Sequence, residues 1–385
     1  MENIMEQARA EQDDLTALRR ELHRCPELAY AEHATAAVIE RELDSLGIRH
    51  TRVGATGVLG VLRGQGTGNG VLALRADIDA LPIQEESGAA YRSRTEGVMH
   101  ACGHDAHTAC LLGAARLLAA CRAELDSEVR LFFQPAEETG GGAPDFIAAG
   151  ALEGVRRIFG LHVSPDLPLG TVGIKPGLNN AAVDHFKIRL HGRAAHVSAP
   201  QLGADALYAA GQLVVAVQGI VTRRTSPVEP VILGIGRLNA GTTYNAVAEY
   251  AELEGTTRTI SQNTRLEMRQ RIDGLSRQIA AVSGCTAEVS WTGICSALIN
   301  DAGACREMQR SAAALGLTVT DARPLSLSGD NFAEYLLRVP GCYAYLGTAN
   351  ETDPNTRAGI HNGHFDLDER ALALGAALYA AGALG

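Results

Sequence analysis

Aromatic side chains are scarce in this chain, only 4% of its 385 residues, and no run of about 18 consecutive apolar residues occurs. Without such a run, no transmembrane helix is expected. A basic block is also missing, since 34 Lys and Arg stand against 44 Asp and Glu, a formal net charge of −10. Phosphate backbones are gripped by clustered Lys and Arg, so nucleic acid is excluded as an expected partner. The acidic start, MENIMEQARAEQDD, lacks an apolar signal core, which points to a cytoplasmic protein. The eight cysteines (25, 102, 110, 121, 285, 295, 305 and 342) show no short repeating spacing and read as mostly reduced, buried thiols. What is present is an ordinary apolar share of 46% and 42 glycines. These exclude intrinsic disorder and suit a chain with many tight turns; the length suggests two domains.

Hydrophobic periodicity predicts helices in DLTALRRELHRC and EHATAAVIERELDSLGI, split by Pro26. Two strand-like runs follow, VGATGVLGVLRG and GVLALRADID, joined by GQGTGNG. That loop carries a G-x-G pattern, but a strand follows it, so a hairpin turn is expected and a nucleotide site is not. From residue 100 helices and strands alternate, which predicts an α/β fold with a mainly parallel sheet. Near residue 184 the pattern changes to strand, helix, two strands, helix, strand. The stretch 184–293 therefore reads as a small α+β unit inserted into a larger domain made of 1–183 and 294–385.

Ligand-type side chains follow apolar strands at several places. VLALR runs into Asp77 and Asp79, RLFFQP into Glu137 and Glu138, RIFGL into His162, and YAYLGT through a short loop to His361. Sites in open parallel sheets form beyond the carboxyl ends of the strands, so neighbouring strands would bring these side chains together. The densest cluster, HACGHDAH, adds His100, Cys102, His104, Asp105 and His107. Thiol, imidazole and carboxylate in one crevice suit a borderline divalent metal, and the surplus over four ligands suggests two ions. Adjacent buried carboxylates would also repel without a cation. A cysteine nucleophile at Cys102 is chemically conceivable, but it leaves the two glutamates and His162 unexplained.

The six motifs RRELHRCPELAYAE, LRADIDALPIQE, MHACGHDAHTA, FQPAEETGGGA, FGLHVSPDLPLG and IHNGHFDLDE occur in that order. Together they resemble the M20 metallopeptidase superfamily, specifically its branch of hippurate hydrolases, N-acyl-amino-acid deacylases and auxin-conjugate hydrolases. The resemblance implies a dinuclear metallohydrolase domain with an inserted lid domain that dimerises. It implies Cys102 as the residue bridging two metals, with His104 and His162 completing one site and Glu138 and His361 the other. It implies Glu137 as the general base, with Asp77 and Asp79 orienting the ligands. In the lid, LHGRAAHVSAP supplies His196 as an oxyanion donor, and Asn245 and Arg258 fall at substrate-contacting positions. The expected activity is hydrolysis of N-acyl amino acids, the alternative a dipeptidase or carboxypeptidase acting on short peptides. The expected cofactors are two divalent ions (Zn, Mn, Co or Ni) in each subunit of a homodimer. The chain departs from the family pattern at Gln201, at Ala246 to Glu249, at Gly363, and in Ser328-Gly329-Asp330-Asn331-Phe332, where Ser-Glu-Asp-Phe is usual.

Overall fold

The computed structural model describes residues 2–66, 68 and 70–385, and the chain divides into two compact units. The first unit runs to Asn179 and resumes over Ile299–Pro324 and Asn331–Gly385. The second comprises Asn180–Leu298 and the short stretch Leu325–Asp330, somewhat wider than the 184–293 of the sequence pattern.

The first unit is built on an eight-stranded sheet. Its order is Arg49–Val53, Gly57–Arg63, Glu128–Gln134, Val71–Asp77, Val155–Pro168, Gly341–Ala349, Thr171–Gly173, Thr318–Thr320. The middle four strands run parallel. They are buried on both faces, which is why they read as continuous apolar runs rather than as alternation. Helices His104–Ala120 and Ala371–Leu384 are buried along most of their length. They lie close because small residues meet: a Cβ on Gly375 would stand 2.5 Å from Cys110 Sγ, and one on Gly113 2.8 Å from Ala376 Cβ. The Tyr379 hydroxyl donates to Arg75 O at 2.5 Å and accepts from Leu161 N at 3.0 Å, pinning the last helix to two central strands.

The expected hairpin between the strands flanking GQGTGNG does not form. Strand 128–134 lies between them, antiparallel to 57–63 and parallel to 71–77. Strand 57–63 makes its hairpin with 49–53 instead. Thr67 and Asn69 of that loop lie outside the described residues.

The second unit carries a four-stranded antiparallel sheet, order Val231–Ala240, Tyr250–Thr259, Ala182–His191, Thr286–Cys295. Strand 250–259 alternates in burial, and Phe186, Ile188, Leu190, Leu253, Met268 and Ile272 form a separate core. By length and composition the helical span Ala206–Arg224 is apolar enough to cross a membrane, although Gln212 and Gln218 interrupt its apolar runs. The span breaks into helices Ala206–Ala216 and Gln218–Arg224, and Ala209, Ala210, Leu213, Val217 and Ile220 face the unit's own core.

Candidate metal centre

The carboxyl ends of the central strands carry the side chains singled out above. Strand 71–77 ends on Asp77; Ile78 N then donates to Gln134 O, and Asp79 follows. His162 lies in strand 155–168, in register with Tyr345. Helix 104–120 starts at His104, directly after Gly103, whose φ is +88°. A Cβ there would also stand 2.5 Å from Val163 Cγ2, so only glycine lets Cys102 and His104 share one corner. Glu137 and Glu138 follow the strand that ends at Gln134. They form a single 3-10 turn, Glu137–Thr139, entered through Ala136 at φ +57°. His361 also has a positive φ, +60°, and its N–H donates to Ala101 O at 2.7 Å.

Potential ligand atoms meet here in overlapping groups. Cys102, His104 and His162 form one, and Cys102, Glu138 and His361 another; each keeps its atoms within 4.8 Å. The two groups share the Cys102 sulfur, and a further group joins His104 to Glu137 and Glu138. Cys102 Sγ lies 3.4 Å from His162 Nε2, and His361 Nε2 lies 3.3 Å from Glu138 Oε1. Two ligands at ~2.0–2.3 Å from one tetrahedral ion stand about 3.3–3.7 Å apart, so these spacings fit zinc-type coordination.

Neighbouring hydrogen bonds turn the imidazoles toward that corner. His104 Nδ1 pairs with Asp79 Oδ1 at 3.2 Å, which leaves Nε2 facing Glu138. The other Asp79 oxygen accepts from the Glu138 N–H at 3.1 Å. His162 donates Nδ1–H to Val163 O at 2.7 Å, so its Nε2 keeps the lone pair toward Cys102. Burial, with His107 beside it, holds His162 well below the usual imidazole range and keeps it neutral. Burial and the charge of Glu138 push the Cys102 thiol well up. Against the effect of burial, Asp77 and Cys102 raise His104 well above its ordinary value. Against burial, His361 and His104 lower Glu138 and keep it anionic.

His104 Nε2 is buried with no hydrogen-bond partner among the described residues, and buried Glu138 Oε1 has His361 Nε2 beside it at 3.3 Å. An unpaired buried polar atom costs ~1–3 kcal/mol. A cation satisfies both and stabilises the thiolate that burial otherwise opposes. The donor set present fits a pair of divalent ions.

The remaining residues of HACGHDAH are engaged elsewhere. His107 gives Nδ1–H to Asp77 Oδ1 at 2.5 Å and accepts from Val163 N at 2.9 Å, so both ring nitrogens are used in holding the segment around His162. Asp77 is also bound by Arg75 Nη1 at 2.6 Å. Asp105 accepts from Arg19 Nε and from His23 Nδ1, each at 2.8 Å. His100 is kept neutral by burial, its pKa pushed down to about 3, and neither ring nitrogen has a partner among the described residues.

In the second unit, His196 is exposed in a short bridge with Ala246, and its Nδ1 accepts from Ser198 Oγ at 2.7 Å. Asn245 adjoins it, its carbonyl accepting from Val197 N. Arg258 is not brought to them. It lies toward the far end of strand 250–259, paired with Val183, while Tyr250 at the near end pairs with His191. Eight residues of strand separate those ends, roughly 26 Å.

Several supporting residues escaped the sequence reading. Glu32 is buried, accepts from Thr56 Oγ1 at 2.6 Å, and takes the Ala136 N–H at 2.9 Å. The Tyr30 hydroxyl accepts from Gly142 N at 3.1 Å, bracing the far side of the same turn. Arg75 and Gln134 are fully buried in central strands. A charged residue inside an apolar run such as VLALRAD was a usable signal, because Arg is rarely buried unpaired.

Comparison with known proteins agrees with this geometry. Residues 73–384 match the model of peptidase family M20/M25/M40. An N-acetyl-L-cysteine deacetylase of Bacillus subtilis is 41% identical over 360 residues, 93% of this chain and 84% of that protein. A thermostable carboxypeptidase 2 of Saccharolobus solfataricus is 36% identical over 389 residues, 99% and 97% of the two chains. Among solved structures, a Bacillus subtilis dinuclear metal binding peptidase of the M20 family superposes with a TM-score of 0.83 at 37% identity, covering 98% of each chain. The chain belongs to peptidase family M20/M25/M40 and is a metal-dependent hydrolase acting on amide bonds.

Proposed function

We propose that this enzyme hydrolyses the amide bond of N-acyl amino acids, with two divalent ions held by Cys102, His104 and His162 on one side and Cys102, Glu138 and His361 on the other. The observation that carries this reading is the sharing of Cys102 between two ligand groups, with Glu137 at their edge. The deacetylase relative acts, by its name, on N-acetyl-L-cysteine, an N-acyl amino acid.

Bound there, divalent ions would polarise the scissile carbonyl and bring the pKa of a water toward ~7. Glu137 takes the proton of the attacking water at a carboxylate oxygen and then gives it to the departing amine nitrogen. Asp79 keeps His104 in the tautomer that offers Nε2, and by holding the Glu138 N–H it keeps that turn against the ligands. His196 donates a hydrogen bond to the developing oxyanion, while Asn245 and Arg258 contact the substrate. The carboxypeptidase relative supports the second reading, cleavage of short peptides. A panel of N-acetyl and N-benzoyl amino acids beside dipeptides, run on protein of measured metal content, separates the two. Preference for dipeptides would overturn the first.

We also place the enzyme in the cytoplasm as a homodimer joined through the second unit. All eight cysteines are free thiols, in keeping with a reducing compartment. Strand 231–240 is an edge, with Ile232 and Leu238 exposed, and edges of this kind pair across two-fold axes. The distance between His196 and Arg258 within one copy means that one small substrate cannot touch both from the same chain. In a dimer His196 and the adjoining Asn245 come from the partner subunit. His196→Ala should then cut turnover by ~10²–10³ at unchanged metal content, as for loss of an oxyanion donor. Mixing that variant with Glu137→Gln under subunit exchange should restore about a quarter of wild-type turnover, because each mixed dimer has one intact site. Absence of rescue in verified mixed dimers would rule out the shared site.

A further inference from the structure

We infer that Asn331 is a positioning residue for Glu137, holding its carboxylate in line through a buried amide node formed with Arg75 and Gln134. The inference rests on the reading of Glu137 as the general base. The turn bearing Glu137 is poorly able to hold itself. Ala136, Gly140 and Gly142 have φ of +57°, +78° and +69°, three left-handed positions within seven residues, one of them not glycine. Such conformations persist only where the surroundings over-determine them.

Asn331 grips this turn twice. Its backbone N–H donates to Glu137 Oε1 at 3.1 Å, and its side-chain Nδ2 donates to Gly141 O at 2.6 Å. Its Oδ1 accepts from Arg75 Nη2 at 3.0 Å and from Gln134 Nε2 at 2.9 Å. The amide orientation follows from its neighbours. Gln134 Oε1 accepts from Arg75 Nε at 2.9 Å and from the Tyr335 hydroxyl at 3.1 Å, so Gln134 must present its NH₂ to Asn331. Asn331 must then present its own NH₂ to Gly141. Arg75, Gln134 and Asn331 are fully buried, which makes each of these bonds costly to break. The Arg75 guanidinium also holds Asp77, which holds His107 beside His162. One rigid cluster thus spans from the base to the ligand side of the centre.

Only an amide satisfies this arrangement. An aspartate at 331 keeps the acceptor for Arg75 and Gln134. It has no donor for Gly141 O and sets oxygen against oxygen there. Beside the longer Gln134 Nε2 contact to Gly141 O at 3.3 Å, the short side-chain bond to that carbonyl therefore depends on asparagine.

The test measures kcat, KM, bound metal and thermal midpoint for Asn331→Ala, Asn331→Asp, Glu137→Gln and the Asn331→Ala/Glu137→Gln double variant, on an N-acetyl amino acid. Misplacement of a reacting group by about 1 Å costs up to ~10²-fold, so both single Asn331 variants should lose ~10–10² in kcat with KM and metal content nearly unchanged. Because Asn331 acts through Glu137, adding Asn331→Ala to Glu137→Gln should cost less than about twofold. Asn331→Asp is similar in size and keeps the Arg75 contact, so it carries the test if Asn331→Ala does not fold. Unchanged kcat in Asn331→Asp beside an inactive Glu137→Gln overturns this inference alone, as does an equal loss in both backgrounds. A fully active Glu137→Gln overturns the base reading together with the inference.

Discussion

Replacing Glu137 by glutamine should leave two metal ions per subunit and near-normal folding, yet remove at least ~10²–10⁴ of turnover, the range for a general base. Glutamine keeps the size of glutamate and can still accept the Asn331 N–H, but it cannot take a proton from water. The adjacent glutamate should fail differently. Glu138 lies 3.3 Å from His361, in a ligand group with Cys102. Glu138→Gln removes an anionic ligand, so one ion should bind more weakly, and added metal should restore part of the activity. Metal analysis and turnover on the two purified variants decide the assignment. If Glu137→Gln is the variant that loses metal, the roles are exchanged; if it keeps full activity, the base lies elsewhere.

Arg19→Met should destabilise the first unit by up to about 3–5 kcal/mol, the cost of breaking a buried ion pair, with Asp105 left to His23 alone. Arg19 and Asp105 are both sealed from solvent and joined at 2.8 Å. Arg19 also reaches Asp366 at 3.2 Å and Glu369 at 3.1 Å. Methionine preserves most of the stem's packing and removes the charge, which isolates the electrostatic part. Asp105 follows His104 directly, so the loss should also reduce metal affinity, by loosening the first turn of helix 104–120. Urea unfolding followed by a probe in the first unit, with metal affinity measured in parallel, reads both effects. A change in stability below about 1 kcal/mol would place this ion pair among those that contribute little.

Much of this was legible before any coordinates. The strand runs VLALR, RLFFQ, RIFGL and YAYLGT were legible, and the alternation of helices with strands from residue 100 marked a mainly parallel sheet, although 71–77 was expected in a hairpin. Residues following those strands were correctly expected to meet, since parallel strands deliver their carboxyl ends to one edge of the sheet. The GQGTGNG hairpin was misread because sequence proximity was taken for pairing, whereas the partner strand comes some sixty residues later. The turn that carries Glu137 and Glu138 was not legible, because a left-handed alanine leaves no compositional mark.

Composition and local pattern determined the type and order of elements, the absence of a basic surface block, and which side chains carry chemistry. These depend on period and residue type, which are local properties of the chain. Tertiary structure alone decided that Asp79 serves His104, that His107 is spent on Asp77 and Val163, and that Asn331 reaches Glu137 from 194 residues away. It also placed His196 beside Ala246 and Arg258 toward the far end of strand 250–259. Such pairings join residues distant in sequence, and their energy comes from burial and hydrogen-bond geometry that exist only once the sheet has formed.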